Sequence, residues 1–295
     1  MELFELINTC GEIPETFSKA ELNELIKHLD TLESNAFKVK NLLVEVRLHK
    51  MMVDFGQKDS DIYVVSYPKS GTTLMQMIIY QLTSDGDMNF NHIYDVSPWL
   101  RFAARKNLTV KCDAKRRIIK SHDDYDFLKD IRKGKFIFVI RDCFDALHSY
   151  FIHTIDYEGP VISWEEFWQM ELPAWTTYIS EWLINRNHLD ILYVNYENLI
   201  TRKKDEIEKI ARFIEIDLDD ILMDRVLDRT SFQFMKKNET KFGEQPDSYQ
   251  VFNNFIRHGL IGEGRKSRSP KEEELFLKLS SDFLRSNEHT RRYYQ

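Results

Sequence analysis

Ser66-Tyr67-Pro68-Lys69-Ser70-Gly71-Thr72-Thr73 decides how this chain is read. The apolar run Ile62-Tyr63-Val64-Val65 precedes it and reads as a short buried strand. Leu74-Met75-Gln76-Met77-Ile78-Ile79 follows and reads as a helix. A strand, a glycine turn and a helix N-terminus make a cradle for a phosphate, because unpaired backbone N–H groups and the positive end of the helix dipole face one point. Gly71 lets the backbone approach closely, and the hydroxyls of Ser70, Thr72 and Thr73 add donors. Lys69 precedes the glycine turn and can reach over the same anion as a point charge.

The order of residues separates this loop from a Walker P-loop, in which the Lys follows the last Gly. Here Lys69 comes before Gly71, and no Gly lies five residues upstream of it. A second difference lies in Phe136-Ile137-Phe138-Val139-Ile140. An ATP-using P-loop enzyme ends this strand in an Asp that helps hold Mg²⁺. Here Arg141 follows the strand, and its planar fork suits a phosphate. Ser149, about two helical turns further on, can join it if the helix leans over the site. Asp142 reads as the N-cap of that helix.

Working outward, strands recur near 61–66, 117–121, 135–141 and 191–196. Each is an apolar run without alternation, as expected of central parallel strands covered on both faces. Helical patterns separate them at about 73–82, 143–153, 164–185 and 202–214, and another covers 271–286. Residues 1–60 read as mostly helical, with a capping box at Ser18-Lys19-Ala20-Glu21 before a face of Leu22, Leu25, Ile26 and Leu29. Residues 236–269 are rich in turn and charged residues and read as surface loops forming part of a lid. The predicted architecture is a single α/β domain over 1–295, P-loop-like, with a central parallel sheet flanked by helices. Ligands of such sheets bind at the carboxyl ends of strands. Lys69, His122, Arg141 and Tyr196 all fall at or just past predicted strand ends, so one edge should collect them.

The chain resembles the cytosolic sulfotransferases. That family opens its nucleotide site with Tyr-Pro-Lys-Ser-Gly-Thr-Thr, which residues 67–73 match throughout. Further resemblances follow in order: Lys120-Ser121-His122 to the Lys-Thr-His element, Arg141 with Ser149 to the Arg and Ser of the 3′-phosphate site, and Tyr196 to the Tyr that meets adenine. Thr230-Ser231-Phe232-Gln233-Phe234-Met235-Lys236 resembles the Thr-Ser-Phe-x-x-Met-Lys element. Arg257-His258-Gly259, continuing into Gly262, resembles the Arg-Lys-Gly loop over the 3′-phosphate. There are departures. Leu74 replaces a Trp, His258 replaces a Lys, Asp123-Asp124 follows the His in place of Leu-Pro, and Gly262-Glu263-Gly264-Arg265-Lys266 replaces Gly-x-Trp-Lys. A divergent or bacterial member fits best.

The resemblance implies sulfuryl transfer from 3′-phosphoadenosine 5′-phosphosulfate (PAPS) to a small-molecule alcohol, phenol or amine, with 3′-phosphoadenosine 5′-phosphate (PAP) as product. His122 would be the general base, Lys69 and Lys120 the catalytic cations. The nucleotide would be held by Lys69, Ser70, Gly71, Thr72, Thr73, Arg141, Ser149, Tyr196, Thr230, Ser231, Phe232, Met235, Arg257, His258 and Gly259, without a metal. Glu197, His148 and His153 read as structural. Asp123-Asp124 reads either as a solvated turn or as a pocket mouth favouring a polar or amine-bearing acceptor. Trp99, Phe102, Phe151, Tyr157 and Trp164 are candidates for an acceptor wall or for plain packing. The alternatives are an ATP/Mg²⁺-dependent P-loop kinase and a silent nucleotide-binding module.

The bulk numbers fit this reading. A formal charge of −7 over 295 residues argues against a general nucleic-acid partner. Three widely spaced cysteines, Cys10, Cys112 and Cys143, suggest neither a disulfide framework nor a zinc site. The acidic start Met1-Glu2-Leu3-Phe4-Glu5-Leu6 lacks a basic leader, and no apolar run approaches the ~18 residues of a membrane span. A cytoplasmic location with no membrane partner is therefore expected.

Overall fold

The computed structural model describes residues 19–110, 114–185, 187–243 and 255–291. These fall into two compact units. One comprises the described residues up to Asp54 together with Arg101–Leu108; the other comprises Phe55–Leu100 and the described residues from Thr109 onward.

The first unit holds helix α1 (Lys19–Phe55) up to Asp54 and most of a short helix over Leu100–Lys106. An Arg101–Glu45 ion pair at 2.5 Å joins the two segments. The capping box expected at Ser18 lies outside the described residues, as do Cys10 and Cys112.

The second unit is built on four parallel strands: β1 (Ile62–Ser66), β2 (Ile118–Ser121), β3 (Lys135–Ile140) and β4 (Ile191–Asn195), in the order β2-β1-β3-β4. Numbering helices in chain order, α2 is Thr72–Thr83, α3 Leu100–Lys106, α4 Tyr125–Leu128, α5 Cys143–Glu158 and α6 Trp164–Ile184. After β4 come α7 (Tyr196–Thr201), α8 (Lys203–Phe213), α9 (Asp220–Arg229), α10 (Phe232–Lys237), α11 (Glu263–Ser267), α12 (Pro270–Leu279) and α13 (Asp282–Ser286).

Both faces of the sheet are covered, which is why its strands are apolar without alternation. Ile137, Val139, Ile62 and Val64 face a cluster with Met75, Ile78 and Ile79 of α2, Ile207 and Ile210 of α8, and Val226 of α9. Phe136 and Phe138 face the other way, onto Trp182 of α6 at 6.1 and 5.1 Å between rings. Under the sheet Arg117 holds Asp61 by two hydrogen bonds of 2.7 and 2.6 Å. It also donates to the carbonyls of Phe55 and Gly56.

One expected element divides and one extra helix appears. The segment 271–286 breaks at Ser280, whose hydroxyl turns back to the Phe276 carbonyl, and Ser281 caps a new helix by accepting from the Leu284 N–H at 3.3 Å. Between β4 and α8 the chain forms α7 before the expected helix begins. Of the expected loop region 236–269, residues 244–254 lie outside the described residues. The rest contains the end of α10, a 3₁₀ turn over Glu239–Lys241, and α11.

Candidate active site

The register aligns the strand ends. Val65 lies beside Ser121 and Phe138, Ser66 beside Val139, and Ile140 beside Asn195. The residues that leave these ends, Tyr67 through Thr72, His122, Arg141 and Tyr196, therefore share one edge of the sheet.

The loop after β1 is held from both sides. Tyr67 hydrogen-bonds the Glu171 carboxylate, and burial and that carboxylate push the phenol pKa far up. Ser66 Oγ lies 2.6 Å from Thr72 Oγ1 across the turn. Lys69 and Gly71 both adopt left-handed backbone, at φ 60 and 97. For Lys69 this is an uncommon conformation. Arg141 Nη1 donates to the Lys69 carbonyl at 2.8 Å. Ser70 Oγ and Arg141 Nε are buried without a hydrogen-bond partner. Two orphaned donors, one on the loop and one beside it at the end of β3, suit anionic groups, since buried donors are otherwise satisfied. The nucleotide's phosphates fit this set.

Tyr196 closes against the loop. Its ring contacts Gly71, and the Arg141 guanidinium lies 4.6 Å from the ring centroid. Glu197 accepts from the Asp142 N–H at 2.9 Å, and Asp142 caps α5 by accepting from the Asp145 N–H at 3.1 Å. Asp145 makes no bridge to Arg141. Its carboxylate accepts from the N–H groups of Gly262, Gly264 and Arg265 at 2.5, 2.9 and 3.2 Å. Gly264 leaves no room for a Cβ, which would lie 2.1 Å from the Phe144 oxygen. These contacts dock α11 on the start of α5, and the charges of Arg141 and Arg257 both act on Tyr196. Gly259 in turn lies under the Phe232 ring. The hydroxyls of Thr230 and Ser231 are engaged locally: Thr230 donates to the Val226 carbonyl, and Ser231 caps α10. Met235 belongs to the core. Ser149 is buried on α5, and Leu74 packs on the core's margin.

His122 and Lys120 point to the same side. Lys120 Nζ donates to Tyr94 Oη at 2.8 Å and stands 4.1 Å from the Trp99 ring, which meets the His122 ring edge-on at 5.2 Å. His122 Nδ1 lies 2.7 Å from the Ser66 carbonyl oxygen. A carbonyl only accepts, so Nδ1 carries the proton and Nε2 keeps its lone pair. Burial, then the Lys120 cation, pushes the His122 pKa down to about 3. Asp123 is buried and bonded to Ser121 Oγ at 2.5 Å, whereas Asp124 is exposed at the start of α4.

Three site neighbours had no site role assigned from the sequence. Tyr94 meets Lys120, Phe255 lies 4.1 Å from Lys69 Nζ, and His153 stacks on Tyr157 and meets Phe255 edge-on. The His153 pKa is pushed to about 3 by burial, then by Lys69 and Lys120. His153 was legible in principle, four residues after Ser149 on one helical face. Phe151 and Trp164 instead pack with Phe167. Phe102 lies under Lys106 in the first unit. Among the described residues no cluster of His, Cys, Asp or Glu is placed to hold a metal, and no helix is long and apolar enough to cross a membrane.

Comparison with known proteins agrees. Residues 59–280 match the family described as Sulfotransferase domain. A 3-alpha-hydroxysteroid sulfotransferase of Cavia porcellus is 30% identical over 248 residues, covering 79% of this chain and 86% of the relative. An amine sulfotransferase of Oryctolagus cuniculus is 25% identical over 271 residues, covering 82% and 87%. The fold resembles that of mouse sulfotransferase SULT7A1 complexed with PAP, with a TM-score of 0.66, 23% identity, and coverage of 86% of this chain and 95% of that one. A loop that departs from the Walker order, on a parallel sheet whose next strand ends in Arg141, thus has its explanation: this chain belongs to the sulfotransferase family and moves a sulfuryl group from PAPS to an acceptor.

Proposed function

We propose that the acceptor is a hydroxyl or amine of a small molecule, and that His122 takes its proton as it attacks. The carrying observation is the 2.7 Å contact of His122 Nδ1 with the Ser66 carbonyl. It fixes the tautomer and leaves Nε2 as the proton-accepting atom. Low basicity in the resting site keeps the ring neutral, and charge developing on the sulfuryl group would raise it. Lys120, on the same side, would meet the sulfonyl oxygens. Lys69 would offset charge on the bridging oxygen as the S–O bond breaks.

PAPS supplies the sulfuryl group when bound. The N–H groups of residues 70–73 would hold its 5′-phosphate, with the Ser70 hydroxyl beside them. Arg141, Ser149, Arg257, His258 and the Gly259 backbone would hold the 3′-phosphate. Tyr196 and Phe232 would flank adenine, with Thr230, Ser231 and Met235 setting the position of Phe232. The aromatic groups Tyr94, Trp99 and Phe255 offer a flat wall for the acceptor. Relatives are named for hydroxysteroid and amine sulfation, and we extend that range of acceptor atoms to this chain. Widely spaced cysteines suit a cytoplasmic enzyme.

Calorimetric titration without metal tests the site: PAP should bind at micromolar concentration and ADP much more weakly. Preference for ADP would overturn the clamp. His122→Asn should keep PAP affinity and lose about 10²–10⁴ in kcat toward a phenol or amine. Unchanged kcat would remove His122 as base.

A further inference from the structure

Arg257 and His258 are both turned to one carboxylate. His258 Nδ1 lies 2.9 Å from Glu263 Oε1, and Arg257 Nη2 lies 3.6 Å from Glu263 Oε2. The Arg257 and Glu263 side chains are only 18% and 26% exposed, so their attraction is less screened than on an open surface. The backbone under Glu263 cannot drift away. Asp145 grips the N–H groups on both sides of it, at Gly262 and Gly264, and Gly264 is wedged on Phe144. Gly262 enters the helix at φ 85, a left-handed turn that fixes the direction of approach. Glu263 is thus a carboxylate on a rigid mount, reaching two basic side chains on a short loop. Burial works to raise its pKa, but the His258 hydrogen bond and the Arg257, His258 and His148 charges together outweigh it, so the carboxyl pKa is lowered and its charge favoured.

We propose that Glu263 competes with the nucleotide's 3′-phosphate for Arg257 and His258, and so sets the affinity for PAP and its rate of release. The proposal rests on the assignment of Arg257 and His258 to the 3′-phosphate. A phosphate entering between them meets a resident negative charge and binds only as the Glu263 side chain rotates away. The cost of displacing it weakens every nucleotide carrying a 3′-phosphate and leaves the 5′-phosphate loop untouched. Product release, a step that limits many enzymes, is then aided by the returning carboxylate.

The test uses two ligands that differ only in the 3′-phosphate, PAP and adenosine 5′-monophosphate (AMP), titrated into the wild-type protein and Glu263→Gln. The amide preserves size and one hydrogen bond to His258. Glu263→Gln is expected to bind PAP about tenfold more tightly, with AMP affinity unchanged and PAP dissociation slowed. PAP affinity that is unchanged or weakened in Glu263→Gln, with the wild type still preferring PAP to AMP, overturns the competition alone. A wild type that binds PAP no better than AMP overturns the clamp assignment and the competition with it.

Discussion

The ring of Tyr196 rests on the backbone of Gly71, so closely that a Cβ at residue 71 would come within 2.4 Å of Tyr196 Cδ2. Gly71 also holds φ 97, where an L side chain is strained. Gly71→Ala therefore meets two obstacles at once. It is expected to lower stability by about 1 kcal/mol or more and to abolish measurable PAP binding, because Tyr196 must move and carries Arg141 on its face. Urea denaturation with PAP titration checks this; wild-type PAP affinity in the variant would count against it.

Asp145 ties α11 to the start of α5 through three backbone donors. In Asp145→Ala those donors lose their partner and the Arg257–Gly259 loop its anchor. Preference for PAP over AMP should fall at least tenfold while AMP binding persists. Equal loss of both nucleotides would point to general unfolding, and no loss would show that the anchor is dispensable.

Arg117 and Asp61 form an ion pair whose side chains are 4% and 0% exposed. Removing one partner leaves a buried charge uncompensated, at a cost of about 3–5 kcal/mol. Asp61→Ala is expected to unfold at much lower urea concentration than the wild type. A midpoint within error of the wild type would contradict that.

The imidazoles of His122 and His153 are each held at a pKa of about 3, chiefly by burial. In the unfolded chain each titrates near its ordinary value of about 6.5. Between these values the unfolded state binds more protons than the native state, so stability falls as pH is lowered from about 6.5 toward 3. Above 6.5 the two residues contribute no pH dependence. Urea denaturation at pH 7 and pH 5 should show the loss, and His153→Gln should make it shallower. Equal stability at the two values would refute it.

Apolar runs revealed the sheet because parallel strands covered on both faces cannot conceal their composition: Ile137 and Phe138 face opposite sides and are both fully buried. The phosphate loop was legible because its chemistry is local; eight consecutive residues, Ser66 to Thr73, supply strand end, turn and helix start. What escaped was contact between distant segments. Nothing in the sequence around Tyr94 says that its hydroxyl meets Lys120, 26 residues away. Phe255 and Lys69 are brought together only by the fold. Asp145 lies four residues after Arg141, yet its carboxylate serves backbone donors 117 to 120 residues further on. The split of the last helical segment at Ser280 was also hidden, since its helical period continues across the break.

The bond from Arg141 Nη1 to the Lys69 carbonyl, at 2.8 Å, joins the end of β3 to the loop after β1. Its consequence is metric. On the proposed assignment, the group that meets one phosphate is bolted to the backbone that meets the other, and both are rooted in adjacent strands. The gap between the two anion positions is then a property of the sheet and not of side-chain flexibility. Such a site gauges a nucleotide by the separation of its phosphates. A ligand with the same number of phosphates gathered at one end, as in ADP, has the wrong span, and no rotamer of Arg141 that keeps this bond can shorten the gap.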